Sequence, residues 1–147
     1  MSDIYREQII DHYKNPRNFG ELKNADLIVK EANASCGDLF ELSLKWQMAH
    51  SSSSVQANGP STSRYGVNRW QIEDIRFKGV GCAISTASFS LLTERIMNKE
   101  LSIMDVKKMT KRDMVKLLGI KVSPTRVKCV MLPLRALNKS FEEVSKK

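Results

Sequence analysis

Hydrophobic and polar positions alternate in the first half of the chain and fall at helical spacing in the second. Leu42, Leu44 and Trp46 alternate with Ser43, Lys45 and Gln47, so a strand is expected over Leu39 to Met48 with one buried and one wet face. A less regular run from Ala25 to Asn33 reads as a second strand. Arg69 to Lys78 reads as a third, and the slip in its alternation near Asp74 predicts a bulge. Before these, Tyr5, Ile9 and Tyr13 mark one face of a helix that Ser2 can cap, and Asn15-Pro16 ends it ahead of the loop Arg17-Asn18-Phe19-Gly20. After Cys82 every segment is helical in pattern. Ile84, Ala87, Leu91 and Leu92 belong to a helix ending near Asn98, and Asp105 to Leu118 holds one or two short helices closed by Gly119. Ser123 and Pro124 supply the cap and first turn of a last helix. Its residues Val127, Val130, Met131, Leu134, Leu137 and Phe141 should face the sheet, with a kink at Pro133. Three strands joined in succession form an antiparallel meander. Helices packed on one face of that small sheet make the chain α+β.

The segment from His50 to Asn68 breaks the pattern. Ser51-Ser52-Ser53-Ser54 and Gly59-Pro60-Ser61-Thr62-Ser63 offer almost nothing to bury, which predicts a flexible Ser-rich loop at about residues 49–69. No internal repeat is present. The 147 residues suit one domain spanning residues 1–147.

Composition narrows the setting. With 41% hydrophobic and 27% charged residues, the chain reads as globular. No apolar run approaches a membrane span, and the charged start Met1-Ser2-Asp3-Ile4-Tyr5-Arg6 does not resemble a secretory leader. Three widely separated cysteines argue against a disulfide framework and for a reducing compartment, so the cytoplasm is expected. The net charge of +8 is uneven: from Lys107 onward fall twelve of the 24 Lys and Arg but only three of the 16 Asp and Glu. A basic third of this kind is a solvated helical face, a docking surface for an acidic protein, or a nucleic-acid surface. No phosphate-binding glycine loop, zinc-finger spacing or RNA-binding aromatic motif accompanies it.

The candidate chemistry lies in the cysteines. Cys82 follows Gly79-Val80-Gly81 at a strand-to-helix turn, where free backbone N–H groups and the helix dipole favour a thiolate. Cys36-Gly37-Asp38 forms the turn between the first two strands, and Cys129 lies at the start of the last helix. Intervals of 46 and 47 residues match no local metal motif, and isolated cysteines are commonly small buried hydrophobes. Yet each cysteine falls where the chain turns or a helix begins. Asp38, two residues beyond Cys36 across Gly37, can join its carboxylate to the same ion. Three sulfurs and one oxygen suit tetrahedral zinc or an iron–sulfur cluster. Such a set is strongly anionic, and Arg126 and Lys128, close to Cys129 in the sequence, are candidates to offset it. Ser85, Thr86 and Ser88 either donate to sulfur or line the helix. His12 and His50 are poor ligand candidates, His12 being better suited to packing or solvent contact.

These motifs together resemble a known family. Tyr5-Arg6-Glu7-Gln8-Ile9-Ile10-Asp11-His12-Tyr13-Lys14-Asn15-Pro16-Arg17-Asn18 is similar to the N-terminal signature of the NifU/IscU/SufU iron–sulfur cluster assembly proteins. Cys36-Gly37-Asp38, Gly81-Cys82-Ala83-Ile84-Ser85 and Val127-Lys128-Cys129 resemble its three cysteine motifs, in order. The resemblance implies a SufE/NifU-like fold and a metal site of Cys36, Asp38, Cys82 and Cys129, with Gly37, Gly81, Arg126 and Lys128 in support. It implies sulfur transfer from a pyridoxal-phosphate cysteine desulfurase of the SufS or IscS type, with apo-proteins as cluster acceptors. The bound species is zinc, as in the SufU branch, or a transient [2Fe–2S] cluster. Lys128 and the run Ala83 to Ser88 are SufU-like. In contrast, the extra length lies between Cys36 and Cys82, and Ala34 replaces a proline common before the first cysteine. Cys36, on a loop, is the expected sulfur acceptor. The rival reading is a basic nucleic-acid-binding domain with a structural metal.

Overall fold

A computed structural model describes residues 3–34, 37–48 and 70–145; side chains are not described at residues 3–5, 47, 48, 70, 71, 144 and 145. The Ser-rich loop and Cys36 therefore lie outside the described residues. The element order is α1 (Asp3–Lys14), β1 (Leu27–Asn33), β2 (Asp38–Met48), β3 (Trp70–Val80), α2 (Ala83–Met97), α3 (Ile103–Lys108), α4 (Lys111–Leu118) and α5 (Val127–Ser145).

The strands form the expected antiparallel meander in the order β1-β2-β3. Val29 pairs with Leu42 and Leu42 with Phe77, while Leu44 pairs with Ile75, so one face of the sheet is continuous hydrocarbon. Helix α5 covers that face over β1, and α2 covers it over β3. Phe40, Phe77 and Phe89 meet between sheet and α2 with ring centroids 4.6–6.0 Å apart. Lys45 pairs with Asp74 but Trp46 with Ile72, leaving Glu73 as the extra residue of a bulge beside the predicted position.

Four local expectations needed adjustment. Ser43 was assigned to the wet face of β2 but is 2% exposed, because it is a short side chain at the middle of the central strand between Ile28 and Arg76. Among the described side chains of α1 the buried ones are Ile9 and His12, while Tyr13 stays exposed; α1 lies against α2 through its polar His12 side rather than through Tyr13. Helix α2 carries no simple stripe. Every residue from Ser85 to Thr93 is buried, since β3, α1, α4 and α5 all pack on it. Ser88 and Thr93 make this possible by donating their hydroxyls to the Ile84 and Phe89 carbonyls, both at 2.7 Å. Finally, Ser123 and Pro124 form a turn, closed by the Arg126 N–H on the Ser123 carbonyl at 2.9 Å, and α5 begins only at Val127. The helix then continues through Pro133 as one element.

The exit loop after α1 also has a structural task. Phe77 donates its N–H to the Asn18 carbonyl at 2.9 Å and accepts from Gly20 at 2.8 Å, so residues 18–20 cover the outer edge of β3. Nearby, His12 is 4% exposed, with Nδ1 2.6 Å from Ser90 Oγ and Nε2 4.0 Å from Glu94. Burial pushes the His12 pKa down; the Arg17 charge adds to this, while Glu94 and Asp11 oppose it. A folded pKa below the unfolded value of 6.5 favours the neutral ring in the folded state. This contribution is complete above the unfolded pKa and lost as pH falls through the folded one. Urea unfolding followed from about pH 7.5 to about pH 5 should show a falling midpoint, and His12→Gln should flatten that slope.

Candidate metal centre

The site forms where the sheet's hairpin end meets the starts of two helices. Gly79, at φ 149°, lets β3 lie against Leu39 and Phe40, and Gly81 leads into α2. Cys82 is the N-cap of α2, with φ −74° and ψ 171°, and its sulfur accepts from the Ser85 N–H at 3.5 Å. Asp38 opens β2 opposite Asn33. It is 2% exposed, and its Oδ1 accepts from the Cys82 N–H at 2.9 Å and the Ser85 hydroxyl at 3.1 Å. Cys129, fully buried in the first turn of α5, accepts a 3.5 Å hydrogen bond from Asn33 Nδ2.

One oxygen of Asp38, one sulfur of Cys82 and one of Cys129 all lie within 4.8 Å of one another. Burial works against the Cys82 thiolate, but hydrogen-bonding contacts with the Ser85 hydroxyl and N–H and with Cys129 outweigh it, holding the thiol below its usual pKa. The second Asp38 oxygen, Oδ2, is buried and has no hydrogen-bond partner among the described residues. A buried carboxylate oxygen of this kind is costly unless a cation or proton meets it. Ligands on one tetrahedral zinc stand about 3.5–3.8 Å apart, given bonds of about 2.3 Å to sulfur and 2.0–2.2 Å to oxygen. The cluster needs only a small closure to reach that geometry. Donor set, burial and the orphaned oxygen all fit zinc.

The fold thus brings together Asp38, Cys82 and Cys129; Cys36 falls outside the described residues. Gly37 is exposed at φ 68°, which completes the tight turn. Arg126 and Lys128 sit exposed at the start of α5, while Cys129, which follows them in the sequence, is buried. His12 lies at the α1–α2 contact and is not part of the cluster, as expected; His50 is outside the described residues. Sequence reasoning did not single out Asn33. The available signal was a polar residue at an inward-facing position, following Leu27, Val29 and Glu31 at period two.

Fold and site together define a small scaffold-type domain in which two cysteines and an aspartate converge as a group able to hold a metal ion. The chain belongs to the NifU-like N terminal domain family, which matches residues 4–58 and 64–147. It is 30% identical to the zinc-dependent sulfurtransferase SufU of Bacillus subtilis, over 95% of this chain and 90% of that protein. It is 31% identical to the iron–sulfur cluster assembly scaffold protein IscU of Escherichia coli, over 97% of this chain and 95% of that one. Among solved structures, a candidate SUF-system scaffold from Fervidobacterium islandicum AW-1 superposes with TM-score 0.63 at 25% identity, covering 95% of this chain and 97% of its own. The N-terminal part of a NifU-like protein from Brucella abortus shares the fold, with TM-score 0.67 at 15% identity, covering 99% and 96% of the two chains. Among the described residues no helix is long and apolar enough to cross a membrane.

Proposed function

We propose that the protein accepts sulfur from a pyridoxal-phosphate cysteine desulfurase and relays it into iron–sulfur cluster assembly, with zinc as resident metal on Cys36, Asp38, Cys82 and Cys129. The observation that carries this reading is the convergence of buried Asp38 and Cys129 with half-buried Cys82, one Asp38 oxygen having no hydrogen-bond partner among the described residues. Cys36 is the natural fourth ligand. It is two residues from Asp38 in a short turn whose other end, Asn33, bonds to Cys129, so about 7 Å of backbone limits how far it can stray.

Zinc, when bound, keeps thiols as thiolates and masks them as nucleophiles. The chain's residues do the rest. The Cys36 thiolate attacks the outer sulfur of the desulfurase persulfide. A new S–S bond forms on Cys36, the old one breaks, and the desulfurase cysteine leaves as thiolate, so no external oxidant is needed. Half-buried Cys82 and buried Cys129 stay in place on their helices. A reducing compartment such as the cytoplasm keeps these thiols available.

The IscU relatives favour a second reading, in which the same residues cradle a transient [2Fe–2S] cluster as cargo for apo-proteins. Metal analysis of freshly purified protein separates the two. The relay predicts about one zinc per chain, held more weakly in Asp38→Ala, and a colourless protein after incubation with iron and sulfide. A brown protein with a visible charge-transfer band, and no zinc, would overturn the relay in favour of the scaffold.

A further inference from the structure

We propose that Ser85 is the positioning residue that makes Asp38 a one-oxygen ligand, and so holds the metal centre at four rather than five coordination. This rests on the ligand set proposed above. Ser85 is fully buried, and its hydroxyl oxygen lies 3.1 Å from Asp38 Oδ1, 3.0 Å from the Cys82 carbonyl and 3.5 Å from the Cys82 sulfur. A hydroxyl has one proton to give. On a helix it ordinarily returns to a carbonyl three or four residues back, as Ser88 does to Ile84 at 2.7 Å. At Ser85 that habit competes with a carboxylate, whose charge makes it the stronger acceptor.

With the proton on Asp38, Oδ1 carries two donors, the Ser85 O–H and the Cys82 N–H at 2.9 Å. Two donors on one oxygen fix the carboxylate plane and saturate that oxygen. Oδ2, buried and without a partner among the described residues, keeps its lone pairs for an ion. Binding through both oxygens would require Oδ1 to give up these bonds. The surroundings hold the hydroxyl where it is. A Cβ on Gly81 would come within 2.6 Å of the Ser85 oxygen and 2.5 Å of the Phe40 ring, so glycine there leaves a slot only as wide as the hydroxyl needs. Ser85 also gives its N–H to the Cys82 sulfur, and therefore touches two of the three converging ligands.

The test compares wild type, Ser85→Ala, Ser88→Ala, Asp38→Ala and the Ser85→Ala/Asp38→Ala double variant. Zinc affinity is measured by chelator competition, and the site is loaded with Co(II) as a spectroscopic stand-in. Circular dichroism of the metal-free proteins checks the fold. Ser85→Ala should lower zinc affinity about 10–100-fold, the usual effect of losing an outer-shell partner. Its Co(II) d–d bands should weaken and shift to shorter wavelength, as five-coordinate ions do. Ser88→Ala loses a buried hydroxyl from the same helix and should change neither. On the Asp38→Ala background, Ser85→Ala should cost much less affinity, because most of its action runs through that carboxylate and only its contact with the Cys82 sulfur remains to be lost. Wild-type affinity and spectrum in Ser85→Ala, or an equal loss on both backgrounds, would overturn the role of Ser85 alone. A wild-type protein that takes up neither zinc nor Co(II) would overturn the ligand set, and this inference with it.

Discussion

Gly79→Ala is expected to destabilise the protein by about 4 kcal/mol, measured as a shift of the urea-unfolding curve. Two separate costs combine. Gly79 has φ 149°, where a side chain brings strain of about 1–3 kcal/mol. The added Cβ would also stand 2.1 Å from the Leu39 carbonyl oxygen and 2.7 Å from the Phe40 Cα. Both are backbone atoms of the central strand and cannot swing aside, so crowding adds about 1–3 kcal/mol. Against a total stability of roughly 5–15 kcal/mol for a domain, this single methyl removes a large share. Gly37→Ala serves as the comparison. Its φ of 68° is also strained, but a Cβ there meets nothing within 4 Å, so only the first cost applies. Equal losses in the two variants would refute the argument from crowding.

Cys36→Ser should abolish persulfide labelling by a cysteine desulfurase, read by mass spectrometry after incubation with the desulfurase and cysteine. Serine keeps the size of the side chain but supplies no sulfur to form the new S–S bond. The three cysteines are not equivalent candidates. Cys129 is fully buried and Cys82 is fixed as a helix cap, whereas both described neighbours of Cys36 in the turn, Ala34 and Gly37, are exposed. A partner's persulfide can reach that turn without opening the core. Labelling at the wild-type level in Cys36→Ser would move the acceptor role to another residue.

What could be read from the residues, and what could not, follows from how local each signal is. The strand alternation of Leu42, Leu44 and Trp46 depends on neighbours two residues away, and it located β2 almost to its ends. The bulge at Glu73 was equally visible as a slip of one residue. Burial of α2 on all sides was hidden because Ser85, Ser88, Ser90 and Thr93 look like a wet face. Their burial depends on hydroxyls turned back to the helix or across to partners such as His12 and Asp38. The convergence of Asp38 with Cys82 and Cys129 could not come from spacing, since 44 and 91 residues separate them from Asp38. The family motifs suggested it; only the meander and the helix order explain it. Ser85 was open between donating to sulfur and lining the helix; it sits at helix position N3 and gives its N–H to the Cys82 sulfur, while its hydroxyl goes to Asp38, a partner that reading did not include.

Asp38 at a hairpin end, Cys82 at a helix cap and Cys129 on the last helix have no reason to be close in an unfolded chain. An ion that needs all three therefore discriminates between folded and unfolded molecules, and mass action turns that preference into resistance to melting. At free zinc a thousand times the dissociation constant, this reinforcement amounts to about 4 kcal/mol. Stripping the metal would then loosen the seam between the sheet and the C-terminal helix first, exposing it to proteases.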